Sequence, residues 1–182
     1  MTLTRLMTAE EYEQMDSDLQ LDLIEGELRP MPPMPGAEHG AVTFDFSLEI
    51  ALFVRQHNLG RCFAAETRFV IALDPDTSLA PDFAFIRADR LPDPIPSSSL
   101  RLAPDLILEV RSPSDRSPDV QNKVDRWLDA GVRLVWELNL ATRLLTVHRP
   151  NETPYALGAE DTLTGGEVLP GFALPLRRLL AK

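Results

Sequence analysis

The stretch Ala103–Ser114, APDLILEVRSPS, places an acidic residue inside what otherwise reads as a buried strand. An apolar run of this length between turn signals is typical of a central strand with both faces covered. Because strand side chains alternate between faces, Glu109 shares one face with Ile107 and Arg111. A carboxylate buried without a partner costs several kcal/mol, so a cation, a metal ion or open water must compensate it. The simplest alternative to a functional site is a salt bridge to a neighbouring residue.

The composition is that of a globular protein with one domain. The chain has 182 residues, of which 44% are hydrophobic and 25% charged, and we expect a single domain over residues 1–182. Its net charge of −10 disfavours a broad nucleic-acid surface but leaves room for a small metal-dependent site. The single Cys62 excludes an internal disulfide, and three scattered His offer no zinc spacing. Without a signal-type segment or an apolar run of membrane length, we expect a cytoplasmic protein.

The N-terminal part predicts a helix followed by a hairpin. Thr8 and Glu11 form a capping box that starts a helix over about residues 9–15. The segment LDLIEGELRPM then predicts two short strands around a tight turn at Glu25-Gly26. Carboxylates on hairpins are usually solvated, and that is our expectation for those of this hairpin, which are Asp22, Glu25 and Glu27.

The Pro-rich break MPPMPGAEHG, of about ten residues, leads into a long amphipathic helix. Its apolar residues recur at three- and four-residue spacing over about residues 37–57 and give the helix one apolar face: Phe46, Ile50, Phe53, Val54 and His57. His39 lies at the start of this helix, where a polar group could reach a cleft, although a lone His is more often incidental than catalytic.

The middle of the chain predicts short strands separated by loops. Strands are expected at 61–65 and 68–73, a loop at 74–81, a strand PDFAFI headed by Asp82, and a Pro- and Ser-rich loop up to residue 104. The strand with Glu109 comes next.

A second amphipathic helix is predicted from Ser117, as N-cap, and Pro118 to about Ala130, with Gly131 ending it. Its buried stripe consists of Val120, Val124, Trp127 and Leu128. Lys123 flanks that stripe, so its ammonium either extends out to solvent or reaches a group beneath the helix.

The remaining chain predicts strands at 132–138 and 143–149, further short strands from Tyr155 and a closing helix. This order of elements predicts an α/β or α+β domain with a mixed sheet that carries helices.

Three polar residues interrupt apolar elements and are the candidates for chemistry: Asp82, Glu109 and Lys123. Two carboxylates from neighbouring strands, with a backbone carbonyl beside the second, suit a hard cation such as Mg²⁺ or Mn²⁺. A water bound to such an ion becomes a nucleophile for phosphodiester hydrolysis, and an adjacent ammonium stabilises the developing charge. The spacing alone is a weak signal.

The ordered set PDFAFI, PDLILEVRSPSD, a helix with Lys123 and AGVRLVWEL resembles the PD-(D/E)XK nuclease superfamily. More narrowly, the chain resembles the Uma-type putative restriction endonucleases, whose pattern the hairpin LDLIEGEL, the PP-x-x-G-x-x-H run and the closing VLPGFALPL also match. The resemblance covers nearly the whole chain.

The resemblance implies a restriction-endonuclease-like core, a mixed β-sheet flanked by helices, with the site at one sheet edge. Asp82 takes the place of the first acid of the motif and Glu109 that of the second, both as metal ligands. The strict motif then has a lysine where this chain has Arg111, which cannot act as a base. Lys123 is the substitute that the resemblance implies. Asp22 and His39 fall on family positions, Asp22 where the family usually has Glu.

Two functions follow from the resemblance. One is a Mg²⁺- or Mn²⁺-dependent endonuclease acting on DNA, with Glu109 and Lys123 catalytic. The other is a nuclease-fold protein that has lost cleavage and serves as a nucleic-acid-binding or assembly module. A homo-oligomer is expected in either case, and ordinary ion pairs among these residues are the remaining alternative.

Overall fold

The computed structural model describes residues 5–15, 21–31, 36–112 and 116–180. Its four α-helices are α1 (Ala9–Glu13), α2 (Ala37–Gln56), α3 (Ser117–Asp129) and α4 (Arg177–Leu180). The strands are β1 (Leu21–Ile24), β2 (Glu27–Pro30), β3 (Gly60–Ala64), β4 (Phe69–Ala72), β5 (Thr77–Leu79), β6 (Phe83–Arg87), β7 (Leu106–Arg111), β8 (Leu134–Asn139), β9 (Leu144–His148), β10 (Tyr155–Leu157), β11 (Thr162–Gly165) and β12 (Leu169–Pro175). A short 3₁₀ helix spans Ala88–Arg90.

A six-stranded mixed sheet forms the centre of the fold, in the order β10-β9-β8-β7-β6-β3. Strands β7 and β8 run parallel, because α3 connects them as a crossover, and the other neighbours are antiparallel. The expected α/β (α+β) arrangement, a mixed sheet flanked by helices, is confirmed.

The two long helices cover opposite faces of this sheet. Helix α2 packs Phe46, Ile50 and Val54 against the face that carries Leu106 and Leu108 of β7. Helix α3 packs Val124 and Trp127 against the other face, which carries Ile107 and Val135. The side chains of β7 therefore alternate between the helices as predicted, and Glu109 faces α3.

A second sheet, in the order β2-β1-β5-β4, consists of strands that precede β6 in the chain, and it corrects one prediction. Strand β5 falls within residues 74–81, which were predicted as a loop, yet all its side chains are buried. It pairs with β1 through Leu23 and Ser78 and with β4 through Phe69 and Leu79. Three residues are too few to show a strand periodicity, and the Asp-Pro turn signals before them dominate the local pattern.

Most of the predicted helix and turn signals are confirmed, with one shift. The capping box of Thr8 and Glu11 is formed, and the hairpin turn has positive φ at both Glu25 (54°) and Gly26 (75°). Gly131 follows the end of α3 with φ of 97°. The N-cap of α3, however, is Arg116 and not Ser117, whose hydroxyl instead accepts a hydrogen bond from Arg111 Nη2 (2.6 Å).

The C-terminal part follows the prediction of short strands and a closing helix. Strands β11 and β12 form a separate two-stranded sheet, and α4 packs beside α2. Within the four described ranges, no helix combines the length and apolarity that a membrane crossing requires.

Candidate active site

Glu109 is buried on β7, and both of its carboxylate oxygens accept hydrogen bonds from α3. Its exposed fraction is only 8%. Lys123 Nζ donates to Oε2 at 2.8 Å, and Trp127 Nε1 donates to Oε1 at 2.9 Å. Lys123 and Trp127 are four residues apart and so lie on the same side of α3. The convergence of Glu109 and Lys123 was predicted, whereas Trp127 was assigned only to the buried stripe.

Burial sets the protonation of Glu109. Desolvation raises the pKa of its carboxyl from the ordinary value of 4.5 to about 7, with the charge of Asp82 adding to the rise and Lys123 opposing it. Near neutral pH, Glu109 is therefore balanced between its neutral and ionised forms.

The ammonium group of Lys123 lies between α3 and the sheet, next to Glu109. Besides Glu109, its Nζ contacts the carbonyl oxygen of Ala80 at 3.2 Å. Burial opposes the charge of Lys123, but the carboxylates of Glu109, Asp82 and Asp22 raise its pKa above the ordinary value. Lys123 is thus a cation at neutral pH, and the charges of Glu109, Asp82 and Asp22 stabilise it.

Asp82 lies immediately before β6 and reaches the end of β7. Phe83 pairs with Leu108, so the antiparallel register brings Asp82 next to Glu109. Its Oδ2 accepts a hydrogen bond from the backbone N–H of Val110 at 2.7 Å. Among the described residues Oδ1 has no hydrogen-bond partner, and 22% of the side chain is exposed. One oxygen of Asp82 thus holds the strand, and the other makes no hydrogen bond to the described residues.

His39 joins the site from the first turn of α2. Its Nε2 donates to the carbonyl oxygen of Val110 at 2.7 Å and lies 3.4 Å from Asp82 Oδ2. A carbonyl oxygen only accepts hydrogen bonds, so Nε2 carries the proton. Asp82 and His39 therefore hold the N–H and the C=O of one residue, Val110, and fix the end of β7 beside Glu109.

Asp22 lies on β1. We expected its carboxylate to be solvated, but the side chain is largely buried. Only 14% of its side chain is exposed, and Arg68 Nη1 donates to its Oδ1 at 3.2 Å. The other two hairpin carboxylates, on Glu25 and Glu27, are exposed, as expected. Asp22 lines the same cleft as Glu109 and Lys123, on the side formed by the second sheet.

Arg111 lies two residues after Glu109 on the same face of β7. It is close to Glu137, which pairs with His148 and was not predicted as a site residue. Its Nη1 lies 4.0 Å from Glu137 Oε1, and Glu137 Oε2 is 3.1 Å from His148 Nε2. Glu137 is the parallel-register partner of Glu109. Glu137 could have been found by the same signal that identified Glu109, because it too is an acidic residue within an apolar strand.

A cleft of about 550 Å³ opens over these groups. The charged residues that line it are three acids, one lysine and four arginines: Asp22, Glu109, Asp119, Lys123, Arg29, Arg111, Arg116 and Arg126. Asp82 and His39 do not line this cleft, and they contact it through Val110, which does. The lining of the cleft therefore combines three carboxylates with one lysine and four arginines, of which Arg29 and Arg126 are paired with Glu27 and Glu25.

The carboxylates of Asp82 and Glu109 are the donors available to a metal ion. Across the described parts of the chain, no group of three or more His, Cys, Asp or Glu side chains is placed to hold one. Mg²⁺ retains several waters and is commonly held by one or two carboxylates, so the pair with the open Oδ1 of Asp82 fits such an ion. The expected carbonyl ligand beside Glu109 is that of Val110, which accepts a hydrogen bond from His39.

Comparisons with known proteins agree with this architecture. The family model described as "Uma2: Putative restriction endonuclease" matches residues 9–177. A crystal structure described as a putative nuclease belonging to DUF820, from Anabaena variabilis ATCC 29413, superimposes with a TM-score of 0.83. That superposition covers 96% of this chain and 97% of the other at 21% sequence identity, and it establishes likeness of fold. No curated protein matched the sequence.

Proposed function

Because the chain belongs to the Uma2 family of putative restriction endonucleases, we propose that it is a Mg²⁺- or Mn²⁺-dependent endonuclease that hydrolyses phosphodiester bonds in DNA. The observation that carries this proposal is the convergence of Glu109, Lys123 and Asp82 from three separate elements. Glu109 and Lys123 line a cleft that four arginines also line, and Asp82 lies directly behind its wall.

Asp82 and Glu109 would hold the metal ion, Asp82 through its open Oδ1. A bound divalent ion would lower the pKa of a coordinated water and so make it easier to activate as the nucleophile. The hydrogen bonds from Trp127 and Lys123 hold the Glu109 carboxylate in one orientation. His39 and Asp82 keep the end of β7 in place, so that the geometry of the carboxylate pair is preorganised.

Lys123 is the group best placed to act on the reacting phosphate. Its ammonium is charged and partly exposed to the cleft, and it can stabilise the negative charge that develops on the phosphoryl oxygens. Arg111, at the position of the motif lysine, cannot accept a proton but can contribute charge from the other side of Glu109.

The rim of the cleft supports a polyanionic substrate. The whole chain carries a net charge of −10, yet four arginines line this one cleft. Phosphate contacts from Lys and Arg supply most of the affinity of proteins for nucleic acids. Although Arg29 and Arg126 are paired with Glu27 and Glu25, the four arginines together would draw a nucleic-acid backbone to this cleft instead of to the acidic surface at large.

One observation favours the second candidate function, a binding or assembly module without cleavage. Both oxygens of Glu109 already accept hydrogen bonds from within the chain, so a metal ion must compete with Lys123 or Trp127 for this ligand. A site that has lost its metal would keep this ion pair.

DNA cleavage with and without metal separates the two functions. We expect supercoiled plasmid and linear DNA to be nicked or cut in Mg²⁺ or Mn²⁺ and to remain intact in a chelator. Lys123→Ala should lower the cleavage rate about a hundredfold or more, since it removes a preorganised cation. Arg61→Ala, at an exposed position on β3, is the matched control and should cleave as wild type does.

Three results would contradict the proposal or parts of it. Cleavage that survives chelation would exclude the metal mechanism. DNA that is bound but not cut, across many sequences and both metals, would favour the binding module. A Lys123→Ala variant with the wild-type rate would remove Lys123 from the reaction and make Arg111→Ala the next variant.

A further inference from the structure

Helix α2 exposes an apolar stripe on the side that faces away from the sheet. Phe44, Leu48 and Leu52 recur every four residues and are 65%, 44% and 53% exposed. Residues at this spacing lie above one another on a helix surface, so their side chains form one continuous strip. The opposite side of α2 buries Phe46, Ile50 and Val54 in the core, so the helix is apolar on both sides. An exposed stripe of large apolar residues marks an interaction surface.

Two charged residues accompany the stripe and have no ion-pair partner within the described part of the chain. They are Asp45 and Arg55, both exposed and both on the side of α2 that carries the stripe. The neighbouring Glu49, in contrast, is paired with Arg178 of α4. Asp45 and Arg55 are ten residues apart, which is about 15 Å along the axis, so they cannot pair with each other.

The charges and the stripe are arranged symmetrically. The point midway between Asp45 and Arg55 is also the point midway between Leu48 and Leu52. When a second copy of α2 packs antiparallel about this point, Leu48 of each copy faces Leu52 of the other. Asp45 of each copy then faces Arg55 of the other, which forms two equivalent ion pairs. A two-fold interface requires this kind of self-complementarity, and an unrelated partner does not.

From this pattern we propose that α2 is the interface of a homodimer, in which the stripe Phe44, Leu48 and Leu52 packs against its own symmetry mate. The partner is a second copy of this chain, held by apolar contact and by the two Asp45–Arg55 pairs across the two-fold axis. The inference is independent of the nuclease proposal, because the stripe lies on the outer side of α2 and the cleft lies on the side of the sheet covered by α3.

Sedimentation velocity over a range of protein concentrations tests the dimer. Wild type should form a dimer, and Leu48→Glu should be monomeric, since it buries a charge in the centre of the interface. The matched control is Leu73→Glu, which places the same charge on a leucine outside α2 that is 65% exposed, and it should leave the dimer unchanged. Circular dichroism melts check that each variant remains folded.

A charge exchange identifies the partner and the register. Asp45→Arg alone and Arg55→Asp alone each place like charges at both pairs, and each should weaken self-association roughly tenfold or more. A mixture of the two single variants should form a heterodimer, because opposite charges then meet at both pairs. The double variant Asp45→Arg/Arg55→Asp should dimerise as wild type does.

The outcomes divide cleanly. A monomer at every concentration, or a dimer that Leu48→Glu does not affect, would overturn the proposal. Single charge variants that associate normally, or a mixture that fails to associate, would overturn the antiparallel register and the two ion pairs.

Discussion

Replacing Glu109 by Gln should stabilise the metal-free protein above neutral pH. In the folded protein burial raises the pKa of Glu109 to about 7, from an ordinary value of 4.5. Because this pKa is higher in the folded than in the unfolded protein, protonation of Glu109 stabilises the fold. This stabilisation is fully present below about pH 4.5 and is lost as the pH rises through about 7. Wild type therefore loses stability over this window, and the Gln variant, which cannot ionise at this position, does not.

The size of the effect follows from the shift. Each pKa unit corresponds to about 1.4 kcal/mol, so ionising Glu109 costs on the order of 3 kcal/mol once the pH is well above 7. The amide keeps an oxygen for the hydrogen bond from Trp127. For a domain of this size the difference corresponds to a melting temperature roughly 6–12 °C higher for the variant near pH 8.

Thermal melts in a chelator, from about pH 5 to about pH 8, measure this difference. The stability difference between Glu109→Gln and wild type should be small at the acidic end and grow with pH. Glu27→Gln, at an exposed carboxylate paired with Arg29, is the control and should show no such growth. A Gln variant that is less stable than wild type near pH 8 would refute the reasoning, because Lys123 would then depend on the charge of Glu109.

The same two proteins also respond to metal. Wild type should gain about 1.4 kcal/mol in Mg²⁺ or Mn²⁺ at ten times the dissociation constant. Glu109→Gln should lose most of this gain, since it removes one of the two proposed carboxylate ligands. A wild type that does not respond to either metal would contradict the proposed site.

Two further expectations concern buried groups outside the cleft. Asp105 is fully buried, accepts a hydrogen bond from the backbone of Arg87 and pairs with Arg90 at 2.9 Å. In urea denaturation Asp105→Ala should cost about 1–3 kcal/mol, because it leaves the backbone N–H of Arg87 without its acceptor, whereas the exposed Asp89→Ala should cost little. Burial raises the pKa of Cys62 to about 12, so its rate of alkylation by iodoacetamide should rise about tenfold per pH unit between roughly pH 8 and pH 11; a plateau near pH 9 would contradict this.

The sequence predicted the fold well because most of its signals are local. The alternation along β7, the capping box of α1 and Gly131 after α3 each depend on a few neighbouring residues, and each is confirmed. Strand β5 was missed because its burial depends on pairing with β1 and β4, which no pattern within three residues can report.

The site was predictable only in part, for the same reason. Glu109 and Lys123 were identified because each is a polar residue within an apolar element. In the structure Lys123 Nζ lies 2.8 Å from Glu109 Oε2. The second oxygen of Glu109 is held by Trp127, whose ring also belongs to the core, and a residue that packs in the core gives no separate sign of its polar atom. The burial of Asp22 was also missed, since it results from contact with Arg68, which immediately precedes β4.

The way in which Val110 is held has a consequence for how the protein folds. Its N–H is bonded by a residue 28 positions away, and its C=O by one 71 positions away. Contacts of such long sequence separation form only after the intervening chain has been ordered, so they require loop closure that local helices and hairpins do not. We therefore expect the contacts of Asp82 and His39 with the strand end to form late in folding. A truncated chain that lacks helix α2 contains every residue of β7 and α3 but not the contact from His39 to the carbonyl oxygen of Val110, so its candidate site is incomplete.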